Sequence, residues 1–256
     1  MAIVELKYSS EAVGMMVDVN VILPDNVAEN ETYKTLYLLH GIKGDHSSWL
    51  RLSCIERYAA QWGIAVVMPA VGRSWYTDTA YGARYFTFVT EELPSVCRKF
   101  FRGMTDRRED NYVAGLSMGG YGAMKVALTY PQRYAGCASL SGALDITRQD
   151  FPIPEAFLRE LQAIFGMTPD RMPGSKHDLF ALANKIKESG EAFPEMYLWC
   201  GTEDYLLGMN RRFNAHLAQL DVKYSYNESE GNHTWPWWDL HIQDALRYLL
   251  GEPKNP

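Results

Sequence analysis

Three residue types that together can activate a weak nucleophile occur in this chain in a usable order: a serine at 117, a carboxylate near 204 and a histidine at 233. Ser117 lies in Gly115-Leu-Ser-Met-Gly119, between an apolar run and a helical pattern. That spacing is a nucleophile elbow, a strand-to-helix turn so tight that the positions two before and two after the serine must be nearly side-chain-free. The turn lifts the hydroxyl above the end of the sheet, and the following helix points its first amides at adjacent negative charge. A dinucleotide-binding turn is the rival for a glycine-rich junction. It fails because Gly-x-Gly-x-x-Gly does not occur and a serine would stand where a pyrophosphate needs bare backbone.

A serine hydroxyl needs a base within hydrogen-bond reach, and the base needs an orienting carboxylate. In this architecture the order along the chain is serine, acid, histidine, each on a loop after a strand. Of the six histidines, His216 and His241 fall inside helical patterns, and His40, His46 and His177 precede any acid in that order. His233, in the loop Glu230-Gly-Asn-His-Thr-Trp235, is the predicted base. Glu195 to Cys200 reads as a strand ending in Gly201-Thr-Glu-Asp204, so Asp204 and Glu203 compete for the acid. The shorter Asp204 suits a fixed imidazole better. Acyl transfer also needs two backbone amides for the oxyanion. Met118, directly after the nucleophile, supplies one; the loop His40-Gly-Ile-Lys-Gly44 supplies the other, from Ile42 or alternatively Gly41. His40 itself reads as a loop-stabilising residue. Because an imidazole base works only when neutral, activity is expected to rise between about pH 6 and 8.

These residues need a scaffold that brings loops from distant positions to one sheet end. Residues 15 to 23 alternate as a strand, and Thr35 to Leu39 and Ile64 to Met68 are short apolar runs suited to strands buried on both faces. Further strands are predicted near 111 to 116, 135 to 140, 195 to 200 and 222 to 227. Helical patterns place Trp49, Leu52, Ile55, Ala59 and Trp62 on one face, Met209, Phe213, Leu217 and Leu220 on another, and Trp238, Ile242, Ala245 and Leu249 on a third. Strands alternating with helices predict an α/β fold with a mostly parallel sheet covered on both sides. From Ala143 to about Pro194 the rhythm breaks into two short amphipathic helices, near 155 to 165 and 178 to 188. This reads as a cap-like insertion of about 143–194 within one domain of 1–256, the plainer alternative being a helical layer at the sheet edge.

Composition sets the outer limits. The 256 residues are 47% hydrophobic, enough for one large core, and Lys and Arg total 25 against 31 Asp and Glu. With a net charge of -6 and no basic run, a nucleic-acid partner is not expected. No leader pattern opens the chain and no stretch approaches a membrane span, so a cytoplasmic protein without a membrane partner is expected. Cys54, Cys97, Cys137 and Cys200 form no C-x-x-C pair and sit in apolar segments, which reads as buried free thiols. Neither His-x-x-x-His nor His-Glu-x-x-His occurs, so no metal and no cofactor is called for. A homo-oligomer stays open.

Five segments carry a family resemblance: Leu38-Leu-His-Gly-Ile-Lys-Gly-Asp-His-Ser-Ser-Trp49, Val71-Gly-Arg-Ser-Trp-Tyr-Thr-Asp78, Gly115-Leu-Ser-Met-Gly-Gly-Tyr-Gly122, Cys200-Gly-Thr-Glu-Asp204 and Gly231-Asn-His-Thr-Trp235. In their order and nearly across the whole chain they resemble the esterase D family of α/β-hydrolases, especially its bacterial tributyrin-type and acetyl or feruloyl esterases. The resemblance implies an α/β-hydrolase fold and a serine carboxylesterase with Ser117, Asp204 and His233 as its triad. Substrates would be short acyl esters, acetyl or hydroxycinnamoyl groups on plant carbohydrates among them, so the expected partner is a small-molecule or oligosaccharide ester. S-formylglutathione hydrolases share the architecture but differ in the oxyanion loop, where Lys43 replaces a small polar residue. A binding protein that keeps the fold without turnover is the alternative of another class. Trp75, Tyr76 and Trp235 lie in or beside the loops assigned to the active face and are the candidate pocket residues.

Overall fold

The central strands are runs of β-branched and aromatic residues with almost no polar side chain, so both of their faces must be covered. The computed structural model describes residues 1–25, 27–28, 31–148, 150 and 152–253. In chain order it contains β1 (Ala2–Ser10), β2 (Met15–Leu23), β3 (Thr35–Leu39), α1 (Ser48–Leu52), α2 (Ile55–Trp62), β4 (Ala65–Pro69) and α3 (Tyr85–Thr87). A wider helical turn, Phe88–Glu92, leads into α4 (Leu93–Phe100). Then follow β5 (Asn111–Leu116), α5 (Met118–Thr129), β6 (Gly136–Leu140), α6 (Glu155–Phe165), α7 (Leu179–Ser189), β7 (Glu195–Gly201), α8 (Leu207–Gln219), β8 (Tyr224–Ser229) and α9 (Trp235–Leu250).

Among the described residues the strands form one 8-stranded sheet in the order β1-β2-β4-β3-β5-β6-β7-β8. β1, β2 and β4 pair antiparallel, and every pairing from β4–β3 to β7–β8 is parallel. This is the expected α/β-hydrolase arrangement. Alternate side chains of each central strand enter two separate cores. Leu36 and Leu38 of β3, with Tyr112, Ala114 and Leu116 of β5, pack under α2 and α9 on one face. Tyr37, Leu39 and Val113 face α4, α5, α7 and α8 on the other. Parallel strands place all their C-terminal ends on one rim, so the loops after β3, β5, β7 and β8 converge there.

The structure adds elements that the periodicities left out. β1 is a strand whose Val4, Leu6 and Tyr8 turn inward while their neighbours are exposed; its period-2 pattern is visible in the sequence once the segment is considered as structure. The expected continuous helix over Trp49 to Trp62 is two. Ser53 leaves helical geometry, its hydroxyl caps the Trp49 carbonyl at 2.5 Å, and the Cys54 amide donates to the Asp239 carboxylate at 2.8 Å. Leu52 accordingly faces solvent. All four cysteines are free; Cys97, Cys137 and Cys200 are buried as expected, but Cys54, at this break, is exposed. The expected insertion contains α6 and α7, with residues 149 and 151 outside the described set. Both helices bury apolar faces in the same core as α5, through Leu161, Ile164 and Phe165 and through Leu179, Leu182, Ala183 and Ile186. No described helix is long and apolar enough to cross a membrane.

Leu38, 1% exposed at the middle of the sheet, has no room to be replaced by a cavity. Leu38→Ala is expected to cost about 2–5 kcal/mol, whereas Ile3→Thr on the exposed face of β1 should stay within about 0.5 kcal/mol. Urea unfolding of the two variants measures both values.

Candidate active site

The β5–α5 junction is bent as the elbow pattern requires. Ser117 has φ 55° and ψ -119°, a conformation that costs a non-glycine residue free energy. Its amide donates to the Leu140 carbonyl at 3.0 Å and its carbonyl accepts from Tyr121 and Ala143, which fixes the turn from three sides. The flanking glycines have a steric reason. A Cβ on Gly115 would run into the Gly119 carbonyl, and one on Gly119 would run into the carbonyl oxygens of Leu39 and His40. Helix α5 thus starts in direct contact with the end of β3 and the loop after it.

His233 reaches the serine from the loop between β8 and α9. Its Nε2 lies 3.0 Å from Ser117 Oγ and its Nδ1 2.8 Å from Asp204 Oδ2. The other Asp204 oxygen accepts the Leu206 amide at 2.8 Å, and the carboxylate is fully buried. With Nδ1–H donated to a carboxylate, Nε2 is left to accept the serine proton. Glu203, the competing acid, does something else. Its amide donates to the Gly231 carbonyl at 2.9 Å, and its carboxylate accepts the Gly231 amide at 2.7 Å, pinning the histidine loop. Bonds from Thr202 and the Gly231 amide hold this exposed carboxyl below its usual range.

Two aromatic rings pack against the imidazole. Trp238 lies 4.9 Å away between centroids with the ring planes nearly perpendicular, and Tyr205 lies 4.6 Å away, tilted. Trp238 is itself held, its Nε1 donating to Ser141 Oγ at 3.2 Å. Tyr205 is 56% exposed, an aromatic face at the mouth of the site that motif reasoning missed. Its adjacency to Asp204 was the available signal.

The loop after β3 lies against the serine: a Cβ on Gly41 would fall 3.5 Å from Ser117 Cβ. Ile42 follows, half-buried. Met118, the first residue of α5, is buried next to Ser117. His40 does hold this loop. Its Nδ1 donates to the Gly41 carbonyl at 2.7 Å and its Nε2 accepts the Val71 amide at 3.1 Å. Burial pushes the imidazole below its usual pKa and keeps it neutral, as an Nε2 acceptor must be.

The three candidate pocket aromatics differ. Trp75 packs against Tyr121, Phe157 and Phe165, so it joins α5 to α6, and its indole N–H is buried with no hydrogen-bond partner among the described residues. Tyr76 is completely buried and its hydroxyl donates to the His40 carbonyl at 2.9 Å. It presents no surface to a substrate, a correction to its placement among the pocket residues; an aromatic in an active-face loop can turn inward as readily as outward. Trp235 is half-buried, edge-on to Trp49 at 5.1 Å and to Trp238 at 5.4 Å. Among the described residues no His, Cys, Asp and Glu cluster could hold a metal ion.

A family model described as "Putative esterase" matches residues 10–249. The chain belongs to this esterase family. An acetyl esterase of Caldicellulosiruptor saccharolyticus is 31% identical, the match covering 97% of this chain and 98% of the relative. The S-formylglutathione hydrolase of Paracoccus denitrificans (strain Pd 1222) is 26% identical, over 94% of this chain and 90% of the relative. Among solved structures, the fluorophosphonate-binding serine hydrolase F of Staphylococcus aureus superposes with a TM-score of 0.87 at 31% identity, covering 97% of this chain and 98% of that one. The protein is a carboxylic ester hydrolase with an α/β-hydrolase fold.

If Glu203 holds the histidine loop through its acceptor oxygen, Glu203→Gln should keep kcat/KM within about twofold, since an amide oxygen can still accept the Gly231 N–H. Glu203→Ala should lower it several-fold with little change in Tm. The charge strengthens this bond at neutral pH, and the bond weakens, without being lost, as the pH falls through the lowered carboxylate range. Steady-state kinetics of the two variants at pH 7.5 check the difference.

Proposed function

We propose that this esterase cleaves short acyl esters by a Ser117–His233–Asp204 triad and an acyl-enzyme. The observation that carries the reading is the unbroken line of contacts from Ser117 Oγ through the imidazole to Asp204, built on a strained elbow. Ser117 Oγ attacks the ester carbonyl carbon while His233 Nε2 takes its proton, and Asp204 holds the imidazolium that forms. The carbonyl oxygen becomes an oxyanion facing the amides of Met118 and Ile42, at the positive end of α5. Collapse breaks the ester C–O bond, and the leaving alcohol takes the proton from His233. Water then attacks the acyl-Ser117 carbonyl with His233 again as base, releasing the acid and restoring the serine. Neither step draws on a cofactor.

Acetyl and other short acyl groups are the first substrates to test, on the strength of the acetyl esterase relative. Hydroxycinnamoyl esters of plant carbohydrates are the second; the exposed ring of Tyr205, beside the imidazole that protonates the departing alcohol, offers a stacking face to the sugar. Thioester cleavage of S-formylglutathione is the alternative that the 26% identical relative supports. No partner other than the ester itself is required, and a cytoplasmic location is compatible with the free cysteines.

Ser117→Ala should abolish fluorophosphonate labelling and lower kcat for p-nitrophenyl acetate by at least about 10³-fold, and Asp204→Asn by a similar order. Absence of labelling on folded wild-type protein would instead indicate a binding protein. A substrate panel of p-nitrophenyl acetate, acetylated and feruloylated oligosaccharides and S-formylglutathione ranks the classes by kcat/KM.

A further inference from the structure

Lys125 is the single charged residue of α5, the helix that begins at the nucleophile, and only 3% of it is exposed. An ammonium taken out of water needs several good partners to stay there. It has three acceptors, none of them a carboxylate: Thr77 Oγ1 at 2.6 Å, His177 Nδ1 at 3.2 Å and the Tyr76 carbonyl at 3.3 Å. The rings of Phe86, Tyr121 and Phe165 surround it at 5.1, 5.6 and 6.0 Å from their centroids. Three donors matched by three acceptors inside an aromatic cage fit a charged lysine. His177 suits this arrangement: burial, and then the charge of Lys125, push its pKa down to about 3, so its ring is neutral and Nδ1 accepts. Burial also pushes Lys125 down to about 7, with Lys176 acting in the same direction and Asp78 against it.

The segment that this ammonium grips is strained. Trp75 and Tyr76 are adjacent non-glycine residues with φ 53° and 48°, a pair that persists only when surrounding contacts over-determine it. Lys125 supplies two of those contacts: directly to the Tyr76 carbonyl, and through the Thr77 hydroxyl, which donates onward to the Trp75 carbonyl at 3.0 Å. The turn so fixed sends the Tyr76 side chain back to the loop after β3, where its hydroxyl donates to the carbonyl of His40. His40 directly precedes the Gly41–Ile42 peptide that lies against Ser117.

We propose that Lys125 is a positioning residue for acyl transfer: its ammonium fixes the Trp75–Thr77 turn and thereby, through the Tyr76 hydroxyl, the oxyanion loop at His40–Ile42. The proposal rests on the acyl-transfer reading of Ser117, His233 and Asp204, and it assigns a use to a buried charge that the triad leaves idle. Oxyanion donors act on the transition state and not on the bound ester, so their misplacement lowers kcat and leaves KM alone.

The test is a double-mutant cycle of Lys125→Met and Tyr76→Phe, with kcat and KM for p-nitrophenyl acetate determined separately and fluorophosphonate labelling followed in parallel. Each single variant is expected to lose about tenfold or more in kcat with KM within about twofold of wild type. The double variant should be no slower than the worse single one, because both remove links of one chain. Fluorophosphonate should still label every variant. A Lys125→Met enzyme with wild-type kcat, a loss confined to KM, or losses that multiply in the double variant would overturn the proposal while leaving the triad untouched. Should Lys125→Met not fold, Tyr76→Phe decides alone: unchanged kcat overturns the proposal, and a kcat loss at constant KM upholds it. Failure of the wild type to label would strike the underlying acyl-transfer reading instead.

Discussion

The left-handed backbone at Ser117 is the constraint around which the rest of the site is arranged. A non-glycine residue at φ 55° is strained, and it stays there because its amide and carbonyl are bonded on three sides and because glycines at 115 and 119 let strand, helix and neighbouring loop touch through bare backbone. That close approach sets the start of α5 against the end of β3. The loop after β3 is thereby brought against Ser117. A looser junction would accommodate side chains at the glycine positions but would separate Ser117 from the loop after β3.

Around this junction the side chains are held by aromatic and polar contacts more than by ion pairs. Trp49 donates its indole N–H to the Leu39 carbonyl at the end of β3, His40 bridges Gly41 and Val71, and Trp238 is tied to Ser141 while it packs perpendicular to the His233 ring. Large rings with one polar handle suit this task, since they fill space rigidly and still fix an orientation. The acid loop and the histidine loop extend the β7–β8 pairing beyond the strands: Thr202 bonds Ser229 and Glu203 bonds Gly231. The histidine is therefore held by the same hydrogen-bond ladder that holds the sheet.

The second face of α5 carries a different burden. The helix is buried nearly all round, between the sheet and helices α6 and α7, and Lys125 meets His177 there. The insertion is joined to the nucleophile helix by Tyr121, whose hydroxyl donates to the His177 carbonyl at 2.9 Å, and by the packing of Phe165 on Trp75 and Tyr121. Side chains one and two turns past the nucleophile thus connect the catalytic junction to the segment that interrupts the strand–helix rhythm.

The sequence by itself determined the features that depend on local spacing. Gly115-x-Ser117-x-Gly119 announces a turn that only small flanking residues permit, period-2 and fully apolar runs announce the strands, and Ser117, Asp204 and His233 come in order in the loops after β5, β7 and β8. β1 and the break at Ser53–Cys54 rest on equally local signals, a period-2 run near the N-terminus and a polar interruption of a helical face. Only the tertiary structure decided what lies between distant segments. Glu203 and Asp204 are neighbours in sequence, yet one pins a loop and the other meets the imidazole, because the turn after β7 points them in different directions. Tyr76 turns into the core, Tyr205 out beside His233, and Lys125 into a cage drawn from three separate stretches of chain. Such choices rest on packing and burial summed over the whole fold, quantities that no window of residues contains.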